Sequence, residues 1–371
     1  MSKHVLFLVH GMGVHDEGWA ETVKETLVRL SNRYSAFEAE PLVDRVSFKE
    51  IRYDQSFEET LARWRAAGSG PANFARGKDL AFVGDLDWLD DLSTKKDDFF
   101  WTHITDVLIY RLFALERTAV RASVATQFAR GVDALLDEDP EGRASVLSHS
   151  LGTAVSHDAI HALGSQEFDV PDLANAFGPT HWRFQNLFTL ANVSRFMATD
   201  IDPYTSMVRP GAVGSADTYC EDFYNFRHDL DPFPLPKKFG PSNWGTRFSS
   251  ESIDTLHHWN PHGLLHYLND PRVHVPILRA LTGFSSVASA EFDTALEEHK
   301  DAKGLLKEVE DRLGAAEVER VREILDKLKA LKAGLSDAPS FAEAMKMVDE
   351  ASKLLSELRD LTEDLIEGFE F

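Results

Sequence analysis

Residues 5–9 read VLFLV, an unbroken apolar run that passes straight into His10, Gly11, Met12 and Gly13. A strand of this kind, with no polar alternation, is suited to a sheet covered on both faces, and such sheets are parallel and crossed over by helices. Residues 16–33 follow with Trp19, Val23, Leu27 and Leu30 at helical spacing. Strand, glycine turn and helix predict the opening unit of an α/β domain.

The same texture continues to about residue 286, so 1–286 is expected to form one α/β domain. Further strands are expected over 46–53, ending at 146–147, and over 187–193 (LFTLANV) and 219–227 (YCEDFYNFR). More than one crossover's length of chain separates the second strand from the third, and part of it, 55–101, is rich in Gly, Asp and aromatics. It is expected to be a cap-like insertion anchored by Trp64, Phe74, Phe82 and Trp88, or else to pack on the flank of the sheet.

Beyond residue 287 the composition shifts to Ala, Leu, Glu and Lys. Val321, Ile324, Leu328, Leu331 and Leu335, then Ala344, Val348, Ala351, Leu355, Leu358 and Leu365, keep the three-four spacing of bundled helices. Residues 287–371 are thus expected to form a helical hairpin or three-helix unit, interrupted at Gly314 and 336–340, with Ser340 and Glu343 capping the last helix. The simplest expectation is that these helices pack on themselves. Recruitment of a protein partner and self-association are the alternatives.

Composition narrows the function classes. A formal charge of −22 would repel a phosphate backbone, so no nucleic-acid partner is expected. The single cysteine, Cys220, excludes an intrachain disulfide and fits a reducing compartment. Residues 5–9 are too short for a signal-peptide core and no small-residue cleavage site follows, so a cytoplasmic location is expected. No stretch approaches the roughly 20 apolar residues of a transmembrane helix.

The chemistry centres on residues 146–153, VLSHSLGT, with a strand before and helical AVSHDAIHAL behind. A serine hydroxyl is a poor nucleophile unless it is held beside a base, and a sharp strand-to-helix turn would lift Ser150 clear of the sheet and leave it exposed. The same turn aims the Leu151 N–H, at the start of the helix, toward a developing oxyanion. SHSLGT resembles the nucleophile elbow of lipases and esterases in the α/β-hydrolase superfamily. The superfamily's usual glycine two residues before the nucleophile is replaced by Ser148, and Gly152 supplies the second glycine; the resemblance gives His149, between Ser148 and the nucleophile, a supporting role.

HGMG, residues 10–13, resembles that superfamily's oxyanion loop. The resemblance makes the Met12 N–H the donor, with help from Gly11, and gives His10 a supporting role. It also implies an α/β-hydrolase fold, a mostly parallel sheet flanked by helices, that begins at the oxyanion strand and lacks the first two strands. The intracellular lipase-like and serine-esterase-like group is the nearest in pattern.

The superfamily's order of nucleophile, acid, histidine implies an acid in NFRHDLDPFPLP (225–236) and a base in LHHWNPHGLLHYLNDP (256–271). Asp231, preceding Pro232, fits the acid better than Asp229. His262 sits in a loop between Pro261 and Gly263, ahead of a helix expected over 264–281, and ranks first as base; His258 and His266 remain open. The spacing of His258, His262 and His266 would suit a metal on one helix face, but Pro261 and Gly263 break that helix, so neither a metal nor a cofactor is expected. The expected activity is hydrolysis of a carboxylic ester, with a small-molecule or lipid-like acyl substrate. An acyltransferase on the same site and a non-catalytic scaffold working through the C-terminal helices are the alternatives.

Overall fold

A computed structural model of the chain describes residues 3–11, 18–53, 110, 114–165, 167, 182–211, 218–283, 285–301, 305–335 and 341–366. Its strands are β1 (His4–Val9), β2 (Val46–Ile51), β3 (Arg143–His149), β4 (Phe184–Leu190), β5 (Cys220–His228) and β6 (Phe248–Ile253). All pair in parallel, in the order β2-β1-β3-β4-β5-β6. The register sets Val9 opposite Ile51 on one side and opposite Ser148 on the other.

The unbroken run of β1 is explained by two cores, one on each face. Successive side chains of a strand point to opposite faces. Phe7 and Val9 accordingly join Phe128, Val146 and Leu187 in one core, and Leu6 and Leu8 join Leu27, Leu147, Phe188 and Ile277 in the other. All four β1 side chains are buried, each contributing about 1.5–3 kcal/mol. Phe7 also meets Phe128 edge to face, ring centroids 5.4 Å apart.

Helix α1 (Trp19–Ser31) covers the second core with Val23, Leu27 and Leu30, the stripe visible in the sequence. Helices α2 (Ala114–Glu138) and α3 (Leu151–Gly164) cover the first. The run expected as one helix over 264–281 is two, α4 (Leu264–Asn269) and α5 (Pro271–Thr282). Pro271 holds the residue before it out of helical geometry, and Asp270, extended at φ −77° and ψ 126°, caps α5 by accepting from the Arg272 N–H at 2.8 Å. Strand β6, FSSESI, was missing from the sequence reading because it is an edge strand with a largely polar surface and no apolar run.

After residue 287 come α6 (Ser289–Asp301), α7 (Leu305–Arg312), α8 (Ala315–Leu335) and α9 (Phe341–Ile366). These helices do not pack only on themselves, as the simplest expectation had it. Val309, Val321, Ile324, Leu328, Val348 and Leu355 belong to the same buried cluster as Phe7 and Val146, and Leu230, Leu256 and Trp259 of the loops after β5 and β6 pack against it. The 55–101 segment with Trp64, Phe74, Phe82 and Trp88, the Ser340 cap and Leu365 side chain lie outside the described residues.

Strand order fixes where a ligand would sit. The sheet extends from β1 to β2 on one side and to β3 on the other, so connections diverge above the carboxyl ends of β1 and β3. Open parallel sheets carry their crevice at such a switch point. His10 and Gly11 end β1 there, and Ser150 ends β3.

Candidate active site

Ser150 stands at the joint between β3 and α3 with φ 52° and ψ −126°. A residue with a side chain pays roughly 1–2 kcal/mol for such a left-sided backbone, so the surroundings must enforce it. They do so from several directions. The Ser150 N–H donates to Leu190 O at 2.9 Å, prolonging the β3–β4 ladder. The Ser150 carbonyl accepts from the Thr153 N–H and the Thr153 hydroxyl, at 2.9 and 2.6 Å, and Thr153 Oγ1 in turn accepts from the Val193 N–H.

Gly152 shows why the turn needs a glycine. A Cβ there would lie 2.1 Å from the His10 carbonyl oxygen and 2.8 Å from that of Val9, so the first turn of α3 rests directly on the end of β1. Gly11 makes the reciprocal approach, its position for a Cβ being 3.0 Å from both Ser150 Cβ and His149 Nδ1. Ser148, where the hydrolase pattern has glycine, fits with its hydroxyl buried and donating to Phe188 O at 3.3 Å.

His262, in the loop before α4, places Nε2 2.8 Å from Ser150 Oγ. Its Nδ1 lies 2.9 and 2.8 Å from the two carboxylate oxygens of Asp231. With a carboxylate on Nδ1, that nitrogen carries the proton and donates, which leaves Nε2 as the acceptor for the serine hydroxyl. All three side chains are buried: Ser150 and Asp231 at 0% exposure and His262 at 3%. The expectation of an exposed Ser150 is thus corrected: its side chain is buried, with His262 Nε2 on its hydroxyl.

Asp231 and His262 are each held by further groups, of which the sequence motif pointed only to His149. Asp231 Oδ1 accepts from the Phe233 N–H at 3.1 Å, and Oδ2 accepts from the Tyr267 hydroxyl at 2.8 Å. Tyr267 is oriented in turn by the His228 N–H, which donates to its oxygen at 2.8 Å. Burial, together with the charge and hydrogen bond of Asp231, pushes the Tyr267 phenol well above its usual pKa, so it remains a donor through neutral pH. His149 Nε2 donates to the His262 carbonyl at 2.7 Å, and the Phe233 ring lies 4.3 Å from the imidazole. Tyr267 falls one turn into α4, in no motif that would mark it.

The two turns beside Ser150, after β1 and at the start of α3, are described in part. Leu151 begins α3, where a backbone N–H has no intrahelical acceptor. His10 stacks on Tyr53 with ring centroids 4.2 Å apart, and the Tyr53 hydroxyl reaches both the His10 and Gly11 carbonyls, at 2.7 and 2.8 Å. Those carbonyls are thereby turned toward Tyr53. Met12 lies outside the described residues.

The residues left open by the sequence are placed elsewhere. Asp229 accepts from Ser252 Oγ at 2.7 Å and pairs with Lys332 Nζ at 3.0 Å. Burial opposes its charge, yet those two hydrogen bonds hold its carboxyl below the usual value. His258 Nδ1 accepts from the Asn260 N–H. His266 packs its ring 5.1 Å from that of His228, and burial drives its pKa well down. Among the described residues, no three His, Cys, Asp or Glu side chains are grouped to hold a metal ion, and no helix is long and apolar enough to cross a membrane.

A second chain of the same residue types runs through α3 itself, which carries its His157 and Asp158. Tyr110 donates to Asp158 Oδ2 at 2.7 Å, Asp158 Oδ1 lies 3.1 Å from His157 Nδ1, and His157 Nε2 lies 2.7 Å from Ser206 Oγ.

No protein-family model matches this chain, and a search of curated proteins finds no relative.

Proposed function

We propose that the protein is a serine hydrolase of the α/β-hydrolase type, acting on a carboxylic ester or related acyl compound through an acyl-enzyme on Ser150. One observation carries the reading: the hydrogen-bonded line from Ser150 Oγ through His262 to Asp231 ends on a serine at φ 52° above the switch point of a parallel sheet. The six-stranded order is compatible with that superfamily, and the glycine turn after β1 stands beside the serine turn after β3.

In the proposed reaction His262 Nε2 takes the Ser150 proton as Oγ attacks the acyl carbon. Asp231 stabilises the resulting imidazolium and keeps the proton on Nδ1. The Leu151 N–H and the turn after β1, with Met12 as the donor suggested by resemblance, receive the oxyanion. His262 then protonates the leaving alcohol, and water attacking the acyl-enzyme by the reverse route restores Ser150. Because Ser150 is fully covered at rest, substrate entry requires the site to open.

Labelling by a fluorophosphonate tests the assignment. The wild-type chain is expected to label and Ser150→Ala to stay unlabelled; equal labelling of the two, or no labelling of the wild type, would falsify it.

A further inference from the structure

The acid and the base stand on loops rather than on strands, at 229–235 and 254–263, and the helices after residue 314 reach both loops. Lys332 of α8 pairs with Asp229, two residues before Asp231, while Ser252 of β6 holds the same carboxylate from the sheet. Arg359 of α9 places its guanidinium 5.7 Å from the ring centre of Trp259, three residues before His262. Leu230, Leu256 and Trp259 pack against the buried cluster that contains the apolar residues of α8 and α9.

Helical spacing shows that both cations lie on the inward faces. Lys332 extends the buried row Val321, Leu325, Leu328 by one further turn, and Arg359 extends Val348, Ala351, Leu355 in the same way. A solvent-facing cation on either helix would fall on the opposite side. The two long stems therefore leave the buried stripes at their ends and meet the two segments that bear Asp231 and His262.

We propose that Lys332 and Arg359 are positioning residues, and that α8 and α9 form a brace that sets Asp231 and His262 relative to Ser150. This inference rests on the hydrolase reading. Loss of Lys332 frees Asp229 and leaves its charge unbalanced beside the acid loop. The brace acts on the transition state rather than on substrate binding, because its contacts are to Asp229 and Trp259, in the loops that carry Asp231 and His262.

The test uses the full chain, p-nitrophenyl acetate hydrolysis across pH, fluorophosphonate labelling rates and thermal denaturation. Lys332→Glu is expected to lower kcat about fivefold with KM changed less than about twofold, and to move the acid limb upward by a few tenths of a pH unit, since added negative charge favours the imidazolium. Lys332→Arg should retain activity, and the charge-reversed pair Asp229→Lys with Lys332→Glu should recover kcat to within about twofold. Arg359→Gln should lower kcat by a smaller factor, about two.

Wild-type kcat and pH profile in Lys332→Glu overturn the inference, as does a loss that the reversed pair fails to recover while its melting temperature is normal. Should Lys332→Glu not fold, Lys332→Met is read by the same criteria. A wild-type chain that neither labels nor hydrolyses sinks the hydrolase reading itself, and that arm is scored before any variant.

Discussion

The molecule holds two Tyr–Asp–His–Ser chains, one ending at the start of α3 and one carried by it, and their distances are nearly the same: 2.8 Å from His262 to Ser150 and 2.7 Å from His157 to Ser206. What separates them is what else each serine is doing. The hydroxyl proton of Ser206 has a second acceptor in Pro203 O at 3.1 Å, and the Val208 N–H approaches its oxygen at 3.4 Å, occupying a lone pair that attack would need. His262 and Asp231 come from segments 31 residues apart, whereas His157 and Asp158 are chain neighbours. Ser150 also holds a positive φ at a helix start, and Ser206 does not. Hydrogen-bond length alone does not make a nucleophile; an oxygen lone pair that no donor occupies and nearby orphan amides do.

The sharpest way to break this contrast is to remove each hydroxyl. Ser150→Ala is expected to lower ester hydrolysis by about 10⁴-fold or more, and Ser206→Ala to leave kcat within about twofold. A loss of activity in Ser206→Ala at wild-type stability would exchange the roles of the two chains. The histidines come next. His262→Ala should cost about 10³–10⁴-fold in kcat/KM, while His157→Gln should preserve activity and lower the melting temperature by about 2–4 °C for a lost buried hydrogen bond.

The tyrosines test the outer ends of the chains. Tyr267→Phe removes a donor from Asp231, which leaves the carboxylate more negative and the His262 imidazolium better stabilised. Its acid limb should therefore rise by a few tenths of a pH unit, with kcat down about three- to tenfold. Tyr110→Phe is the control, and pH–rate profiles of both variants should differ only in the first. Among the variants expected to lower activity, Arg359→Gln has the smallest effect, and it separates a brace from a bystander.

The parts legible in the sequence are those where one short segment settles its own environment. Residues 5–9 announce a strand buried on both faces because all of their side chains need apolar neighbours, and Leu6, Phe7, Leu8 and Val9 are all at 0% exposure. The turn at Ser150 is legible because Gly152 is compelled by contact with β1. Strand β6 is not legible, since its six residues carry almost no hydrophobic signal. Asp229 and Asp231 have the same chemistry in the same dipeptide rhythm, and only the fold of the loop after β5 sends one toward Lys332 and the other toward His262. Tyr267 and Tyr53 were unreadable for a related reason: each acts across the fold on a backbone or carboxylate far away in the chain.

The covered serine has a kinetic consequence. A nucleophile that solvent does not touch at rest meets its reagent in two stages, an opening that the protein controls and a bond formation that the reagent controls. Inactivation should climb with reagent concentration and then flatten, and the plateau would be the same for reagents of very different intrinsic reactivity. The ceiling would then be a property of the fold, common to any reagent that reaches Ser150.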